Sequence, residues 1–395
     1  MPGFDVVVIG GGITGCSSAY HLAHAGVRVL LIERGEIAMA ASGASAGGVR
    51  QQNRLAPELP LAMRAIARWP GLADELGADI EYRRVGHLHL IEREEQLPAL
   101  EASVGRQRAD GLDLRIVFGA ELREILPAAA PQILAGSYCP TDGYANPILA
   151  TYAFARAAQR HGATLRTRTA VSRILVEAGR IVGVEADGGR IVCRHVVAAA
   201  GAWTPGLAAA IGLTLPIESR APSMMVTERV PGFFRPVVTC MGRKLSLKQM
   251  PQGTVLIGGG WPGKANLESG KGSVRPPSVQ GSAREATAVL PRLRRAQVVR
   301  AWSGVEAECA DTMPILGQVP HLPGLLLAAG FSGHGFALAP AIGEAMAALV
   351  VHGKPPLPLD ALSLGRFATQ PAASRTIGSD EPPNIRTSEH PNASP

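Results

Sequence analysis

The sequence has few aromatic residues, scattered cysteines and no long uninterrupted apolar run. Aromatic residues make up 4% of the 395 positions, which disfavours a base-stacking surface for nucleic acid. The five cysteines form no C-x-x-C pair, so neither a disulfide framework nor a metal site is expected. No apolar stretch reaches the roughly 18 to 20 residues that cross a bilayer. The apolar run at 6–9 follows an acidic residue instead of a basic segment, so a cytoplasmic protein without a signal peptide or transmembrane segment is expected.

Lysine is also scarce, because most of the 39 basic residues are arginine, and the formal net charge is +7. The densest basic run, at 292–300, is predicted on a helix and its exit. A solvated face is the expected interpretation of this run, with a docking surface for an acidic partner as the alternative. Hydrophobic residues make up 46% of the chain, which is enough for a large core.

The first 33 residues carry the pattern of a dinucleotide-binding unit. A buried strand is predicted at 4–9, a helix up to about residue 25 and a second strand at 27–32. Between the first strand and the helix, G-x-G-x-x-G supplies a tight turn, a close approach for a pyrophosphate and close helix–strand packing. An acid at the tip of the second strand can accept both ribose hydroxyls and disfavours NADP. The contacts predicted from this unit are Gly10, Gly12, Ile13, Thr14, Gly15, Glu33 and Arg34.

Residues 40–50 distinguish between the two remaining cofactors, NAD and FAD. This segment is rich in glycine and other small residues, too flexible for a strand and too short for a domain linker. Its amides can follow a long cofactor, whereas a simple NAD domain would proceed directly to its next βα unit. FAD is therefore expected, with contacts from Ser42, Ser45, Ala46, Gly47 and Gly48.

The amino-terminal unit and the A-S-G-A-S-A-G-G-V-R-Q-Q segment at 41–52 resemble the D-amino-acid oxidase/glycine oxidase superfamily of FAD-dependent amine oxidoreductases. The resemblance covers about residues 3–367 and is greatest to β subunits of heteromeric proline or hydroxyproline dehydrogenases, sarcosine oxidase and opine oxidases. It implies an α/β fold with a Rossmann-like FAD-binding domain and a smaller antiparallel-sheet substrate domain, as in glycine oxidase. The FAD-binding domain is predicted from 1–50, 145–215 and 299–367, and the substrate domain from 51–144 and 216–298. A Pro- and Ser-rich composition predicts a disordered tail at 368–395.

The resemblance also implies a second flavin loop near the carboxyl end. A glycine-rich turn follows a predicted strand at 325–329 and precedes an apolar helix, whose amino end can stabilise negative charge on a flavin ring. The residues of this loop are Gly330, Phe331, Ser332, Gly333, His334, Gly335 and Phe336. Further cofactor contacts implied by the superfamily are Val171, Ala200, Gly201, Trp203 and Gly304.

Arg50 and Lys248 are the first two candidates for the catalytic site. Flavin-dependent amine oxidation moves a hydride from the substrate α-carbon to flavin N5, so the protein mainly orients the substrate, usually through an Arg on its carboxylate. An Arg at position 50 resembles the sarcosine-type enzymes, and a surface or phosphate-facing Arg is the alternative. Strand parity puts Lys244 and Lys248 opposite the neighbouring leucines. Lys248 is a candidate to lie over the flavin, where lysine assists oxygen reduction in sarcosine-type oxidases, and a solvated lysine is the alternative.

Glu306 and His334 complete the candidate set. Glu306 and Gly333 stand where glycine oxidases carry two arginines, which counts against glycine oxidase itself. Glu306 can instead receive a cationic amine or guanidino group, with a structural acid paired to an Arg as the alternative. His334 is either a cofactor or substrate contact or a packing residue. No Cys stands at the linking position near Gly304 and no His at 45–48, so the FAD is expected to be non-covalent.

These residues predict FAD-dependent dehydrogenation of a small secondary amino acid or imino acid to an imine. The chain is expected to act as the β subunit of a heteromeric enzyme, with an α subunit as partner. One alternative is a self-sufficient glycine, sarcosine or D-amino-acid oxidase that produces hydrogen peroxide. A non-catalytic flavoprotein subunit and an NAD-dependent dehydrogenase are the others.

Overall fold

The computed structural model describes residues 3–368, and the predicted tail lies outside the described residues apart from its first position. The helices are α1 Ile13–His24, α2 Ala41–Ala44, α3 Leu59–Arg68, α4 Leu72–Leu76, α5 Leu97–Ala109, α6 Gly119–Ile125, α7 Pro147–Arg160, α8 Thr204–Ala209, α9 Pro276–Val289 and α10 Gly335–His352. The first eleven strands are β1 Phe4–Ile9, β2 Val29–Ile32, β3 Gly48–Val49, β4 His87–Ile91, β5 Arg115–Phe118, β6 Ala135–Cys139, β7 Gly143–Tyr144, β8 Thr164–Arg166, β9 Val171–Glu177, β10 Arg180–Ala186 and β11 Gly189–Ala198. The remaining strands are β12 Ile217–Arg220, β13 Ser223–Arg229, β14 Val237–Cys240, β15 Ser246–Gln249, β16 Thr254–Gly258, β17 Lys264–Asn266, β18 Lys271–Ser273, β19 Val298–Ser303, β20 Glu306–Cys309, β21 Ile315–Gln318 and β22 Leu325–Ala329.

The first sheet is the doubly wound sheet predicted from the amino-terminal pattern. Its strand order is β21-β22-β11-β1-β2-β8, and β9 and β10 extend it from β11. β1 pairs in parallel with both β2 and β11, and β11 pairs in parallel with β22. The apolar side chains of β1 and β2 are buried on both faces, which explains their continuous rather than alternating hydrophobic pattern.

Helices α1 and α10 pack closely together beside this sheet. The Ser17 hydroxyl of α1 donates to the Ala339 carbonyl of α10 at 2.8 Å, and a Cβ at Gly343 would overlap Ser17. Contrary to expectation, α10 is long and apolar enough, by length and composition, to cross a membrane. Because 61% of α10 is buried inside the protein, its apolar character matches that of a core helix.

The second sheet is largely antiparallel, as the fold prediction requires. Its order is β19-β13-β16-β15-β14-β4-β6-β5, and within it β14 and β4 are parallel neighbours. Helices α6 and α9 contribute buried apolar residues to its core. Three two-stranded pairings, β3-β7, β12-β20 and β17-β18, supplement the two large sheets.

Several predicted boundaries differ from the structure. The boundary at 299 falls inside β19, which pairs with β13 in the second sheet, whereas the strands that rejoin the first sheet begin at β21. The basic run lies on a 3₁₀ turn, Pro291–Arg295, and on β19, because α9 already ends at Val289. The division of the chain into two domains stays a prediction.

Candidate active site

Four predicted cofactor segments meet at one edge of the first sheet. Parallel strands end at the same edge, and the register places Ile9 beside both Ile32 and Ala198, with Ala198 beside Leu327. The glycine motif after β1, the acid after β2, the turn after β11 and the loop after β22 therefore lie together. Cofactors bind at this edge in open α/β sheets.

The glycine motif has the geometry that close backbone approach requires. Gly10 has φ +112°, and a Cβ there would overlap the Ala199 carbonyl. A Cβ at Gly15 would overlap the Gly10 carbonyl, so the start of the helix can approach the turn this closely only because residue 15 is glycine. Gly12, the N-cap residue of α1, contributes no side-chain hydrogen bond to the helix amino end, where the helix dipole favours an anion.

Glu33 follows β2 with its carboxylate directed at the glycine motif. Its Oε2 accepts the Gly11 N–H at 2.6 Å, and its Oε1 accepts the Gly35 N–H at 2.7 Å. A carboxylate oxygen has two acceptor lone pairs, so each can also accept a ribose hydroxyl. Next to it, the Arg34 guanidinium lies 4.3 Å over the Trp203 ring, which brings together two predicted contacts.

The hairpin β17-β18 covers this Arg34–Trp203 pair. Trp203 Nε1 donates to the Leu267 carbonyl at 2.9 Å, and Arg34 Nη2 donates to the Glu268 carbonyl at 3.4 Å. Of the other contacts in this region, Gly201 has φ +54° and begins a 3₁₀ turn, Ala200 follows β11, and Val171 is half-buried at the start of β9. The hairpin had not been assigned any role from the sequence.

The segment 40–50 is more ordered than its composition indicates. It contains α2 and then β3, which pairs with β7, so the expectation that it could not form a strand was wrong. Ser42 Oγ accepts the Ile13 N–H at 2.9 Å, which ties the segment to the start of α1. Ser45 Oγ accepts the Gly47 N–H at 3.0 Å. A Cβ at Gly47 would overlap the Ala145 carbonyl, so only glycine fits there.

The second sheet holds the same segment from the other side. Trp302 Nε1 donates to the Ala44 carbonyl at 2.9 Å, and a Cβ at Gly304 would overlap the Ala44 side chain. Lys248 Nζ donates to the Ala46 carbonyl. Residues of the second sheet and the start of α1 therefore converge on the stretch predicted to follow the cofactor.

Lys248 is buried, with 3% of its surface exposed, so the solvated alternative was wrong. Its Nζ lies 4.6 Å over the Tyr144 ring, and burial lowers the pKa of the amine to about 7. Lys244 precedes β15 and is exposed. The predicted strand alternation therefore includes Lys248 but does not reach Lys244. Lys248 therefore places a buried amine, about half of it uncharged at pH 7, against the segment 40–50.

Arg50 follows β3 and belongs to a buried polar cluster. Its Nη1 donates to the Gln52 carbonyl at 2.6 Å, and burial lowers the pKa of its guanidinium. Two carboxylates, Glu58 and Asp142, oppose this lowering of the pKa. A second guanidinium, Arg54, donates to the Arg50 carbonyl at 3.1 Å.

Sequence reasoning missed three members of this cluster: Arg54, Glu58 and Asp142. Arg54 Nη1 and Glu58 Oε2 are buried without a hydrogen-bond partner within residues 3–368. Such atoms are normally satisfied by protein, water or a ligand. The Q-Q-x-R-x-x-x-E pattern at 51–58, which puts an arginine and an acid four residues apart before a helix, is a local signal that could have indicated them.

His334 is bonded to Glu58. Nδ1 of His334 lies 2.9 Å from Glu58 Oε1, and burial lowers the pKa of His334 to about 4, so the imidazole is neutral at pH 7. Burial alone would raise the pKa of Glu58, but the His334 hydrogen bond and the Arg54 charge hold it below its ordinary value. A neutral His334 that donates from Nδ1 leaves Nε2 as an acceptor.

Glu306 lies beside the flavin loop. Burial raises its pKa to about 7, opposed by a hydrogen bond from the Gly333 backbone. No arginine within residues 3–368 forms an ion pair with Glu306, whereas Glu308 of the same strand pairs with Arg220 at 3.2 Å. The interpretation of Glu306 as an Arg-paired structural acid is therefore not supported.

The loop after β22 has the shape expected of a glycine turn before a helix. Gly330 and Gly333 have φ +69° and +85°, and His334 is the cap residue of α10. Ser332 Oγ accepts the Cys309 N–H at 3.0 Å, which ties the loop to β20. A Cβ at Gly335 would come within 2.9 Å of the Phe331 ring, and Phe336 is buried in the core.

The residues that meet at this edge of the first sheet fit FAD. The glycine cradle and open α1 terminus suit a pyrophosphate, Glu33 suits a ribose, and the amino end of α10 suits the electron-rich end of a flavin ring. Fold and site together define a flavin-dependent oxidoreductase. Residues 5–349 match the model of the family described as DAO, FAD dependent oxidoreductase, and the chain belongs to that family.

Named relatives span nearly the whole chain. Sarcosine oxidase subunit beta of Rhizobium meliloti is 29% identical over 93% of this chain and 89% of its own length. Glycine oxidase of Geobacillus kaustophilus is 31% identical over 92% of this chain and 97% of its own length. The crystal structure of L-proline dehydrogenase from P. horikoshii has a TM-score of 0.88 and 30% identity, covering 93% of this chain and 99% of that chain. The predicted fold class is thereby confirmed.

Proposed function

We propose that the chain dehydrogenates a small secondary amino acid or imino acid to an imine. FAD, when bound, supplies the hydride acceptor. The observation that carries the proposal is the half-buried Arg50, placed at the end of the segment 40–50 and next to the flavin-loop residue His334 through Glu58. A half-buried guanidinium beside a flavin loop is suited to a substrate carboxylate, because it is shielded from water and still accessible to a ligand.

The remaining polar groups are suited to the amine. A secondary amine must lose its proton before a hydride can leave the neighbouring carbon. Glu306, with a pKa of about 7, can accept that proton, and His334 Nε2 can accept an amine N–H. In this proposal Arg50 fixes the carboxylate, Glu306 takes the proton and His334 orients the nitrogen.

We further propose that the chain acts as the β subunit of a heteromeric enzyme. The similarity to sarcosine oxidase subunit beta over almost the whole chain supports this role, as does the A-G-G-V-R-Q-Q segment. The chain purified alone should retain FAD and be reduced by substrate, yet turn over slowly. Full turnover of a simple amine without a partner chain would contradict the subunit role.

A self-sufficient oxidase is the second candidate, and the buried Lys248 favours it. A lysine held against the segment 40–50 can support reduction of oxygen, and a glycine oxidase is among the relatives. Hydrogen peroxide yield under air, compared with reduction of an artificial dye, separates the two candidates. Peroxide equal to substrate consumed would favour the oxidase.

The proposed FAD linkage is non-covalent. The family resemblance puts a linking cysteine near Gly304, where this chain has none, and the five cysteines are free and buried. Acid precipitation should leave the flavin in the supernatant, and flavin in the pellet would contradict this proposal.

The substrate class is tested by an anaerobic screen of the FAD-loaded protein. Proline, hydroxyproline, sarcosine, D-amino acids and opines are mixed in turn with the protein while the visible flavin absorbance is recorded. Bleaching by secondary amino acids is the expected result. A flavin that none of these amines bleaches would favour a non-catalytic flavoprotein.

A further inference from the structure

We propose that Asp142 is a positioning residue for Arg50, and that its buried carboxylate fixes the turn that directs the Arg50 guanidinium toward a substrate carboxylate. This inference rests on the proposed function, in which Arg50 holds that carboxylate. Asp142 itself does not touch the substrate in this account. It acts through the backbone of the two residues that follow Arg50.

Asp142 lies beside Arg50 because two short strands pair. β3 and β7 are antiparallel, with Val49 opposite Gly143, so the next residues along each strand are Arg50 and Asp142. Asp142 Oδ1 accepts the N–H of residue 51 at 2.9 Å, and Oδ2 accepts the N–H of residue 52 at 3.4 Å. One carboxylate thereby holds both peptide groups that follow Arg50.

The side chain of Arg50 is bonded to the turn that Asp142 holds. Arg50 Nη1 donates to the Gln52 carbonyl at 2.6 Å, and Arg54 closes the turn by donating to the Arg50 carbonyl. The Gln52 side chain donates to the His87 carbonyl at 2.7 Å, which anchors the turn to β4 of the second sheet. Because the guanidinium is bonded to this turn, a displaced turn displaces the guanidinium.

The charge of Asp142 is balanced by arginine. Asp142 is fully buried, and burial raises its pKa to about 6, opposed by the two peptide N–H bonds and by Arg50 and Arg54. His87 lies 3.8 Å away, but burial lowers its pKa well below the ordinary value, so it is neutral. The titratable and charged groups that face Asp142 are Arg50, Arg54, Tyr82, His87 and Cys139. The carboxylate is therefore ionised at pH 7 and protonates near pH 6.

Loss of the Asp142 charge has two opposite consequences for anion binding. Coulomb's law alone predicts tighter binding, because a negative group near Arg50 has been removed. A loss of position predicts weaker binding, because the guanidinium no longer points at the carboxylate. The direction of the change in Kd therefore identifies which effect dominates.

The test compares FAD-loaded wild-type protein with Asp142→Asn. The probe is pyrrole-2-carboxylate, a proline-shaped carboxylate with no saturated C–H bond beside its nitrogen, and Kd is read from the change in flavin absorbance. A positioning role predicts a Kd about tenfold higher in Asp142→Asn. It also predicts that the ratio of the Asp142→Asn Kd to the wild-type Kd falls toward one as the pH falls from about 7.5 to about 5.5, because wild-type Asp142 gains a proton while Glu306 and Lys248 titrate alike in both proteins.

Asp311→Asn is the matched control. Asp311 also accepts a backbone N–H, that of Met313 at 3.1 Å, and pairs with Arg366 at 2.7 Å, away from the Arg50 turn. The Kd of Asp311→Asn for pyrrole-2-carboxylate should stay within about twofold of the wild-type value. An unchanged or lower Kd in Asp142→Asn would overturn the positioning role. If that variant does not fold, the same titration of the double variant Glu306→Gln/Lys248→Met decides, because it lacks the two other site groups that titrate near pH 7, and a Kd that is constant with pH in that protein overturns the inference.

Arg50→Ala separates failure of this inference from failure of the proposed function. If Arg50→Ala leaves the Kd of the probe unchanged, the assignment of Arg50 as the carboxylate clamp is wrong, and the positioning role fails with it. If Arg50→Ala raises the Kd and Asp142→Asn does not, only the positioning role is wrong.

Discussion

Nδ1 of His334 and Oε1 of Glu58 are 2.9 Å apart, and this bond joins the flavin loop to the segment that precedes α3. Glu58 has no exposed surface, and its nearest cations include Arg54 and Arg50. Removing one charge from such a buried cluster leaves the others uncompensated. The cluster thus couples the stability of the protein to the geometry of the site.

We predict that Glu58→Gln lowers the free energy of unfolding by about 3 kcal/mol, because it leaves the buried Arg54 and the half-buried Arg50 with one fewer counter-charge. Denaturant unfolding of the FAD-free protein measures this change. Glu344→Gln is the matched control, since Glu344 pairs with a partly exposed arginine and should cost at most about 1 kcal/mol. Equal losses in the two variants would contradict a special role for Glu58.

Arg50→Ala should raise the KM and lower the kcat for the amino-acid substrate, with a combined loss in kcat/KM of about 100-fold. The FAD content should remain near that of wild type, because the guanidinium is assigned to substrate instead of cofactor. Steady-state kinetics and the ratio of flavin to protein absorbance check both statements. Unchanged kinetics would end the assignment of Arg50.

Glu306→Gln should flatten the pH dependence of flavin reduction. The pKa of Glu306 is raised to about 7, so the carboxylate is ionised above that pH and can take the amine proton only there. The wild-type anaerobic reduction rate should therefore increase as the pH rises through about 7. Glu308→Gln, two residues along the same strand, should keep the wild-type profile.

Lys248→Met should slow reoxidation of the reduced flavin by oxygen while leaving anaerobic reduction within a few-fold of wild type. The pKa of Lys248 is lowered to about 7, so the fraction of the cation falls as the pH rises through that value. If the cation assists oxygen reduction, the reoxidation rate falls over the same range. Lys244→Met, an exposed lysine four residues earlier, should behave as wild type. Identical reoxidation by both variants would remove Lys248 from the site.

Trp203→Phe should increase the rate at which FAD dissociates by about fivefold, because the smaller ring keeps an aromatic face for Arg34 but loses the indole hydrogen bond to the hairpin β17-β18. Flavin fluorescence after dilution measures that rate. Trp261→Phe loses an indole bond to the Lys244 carbonyl, away from Arg34, and should leave the rate unchanged. A dissociation rate that is the same in both variants would show that the hairpin does not retain FAD.

Local patterns and the family resemblance together predicted the cofactor half of the site. The spacing of the motif after a strand indicated the turn at Gly10 and the acid Glu33, whereas the resemblance implied that the glycine loop before α10 is a flavin loop. Their positions at one sheet edge then follow from parallel pairing. The family resemblance and the local pattern agree on this half.

The polar cluster around Arg50 could not be predicted in the same way. Asp142 reaches residues 51 and 52 only because β3 pairs with β7, and such pairing between distant segments has no local signal. Glu58 meets His334 across 276 positions of sequence. Lys248 was placed on the correct strand, but its burial involves a contact with Ala46, a residue of the distant segment 40–50.

The central claim is that an amino acid held by Arg50 transfers a hydride from the carbon beside its nitrogen to bound FAD. Anaerobic rapid mixing of FAD-loaded protein with ordinary and with fully C-deuterated proline tests it most directly. The account predicts that proline bleaches the flavin and that deuteration of proline slows the bleaching several-fold. It also predicts that ordinary proline bleaches the flavin of Arg50→Ala more slowly than deuterated proline bleaches that of wild type. Bleaching at the same rate with both forms of proline and in both proteins would contradict it.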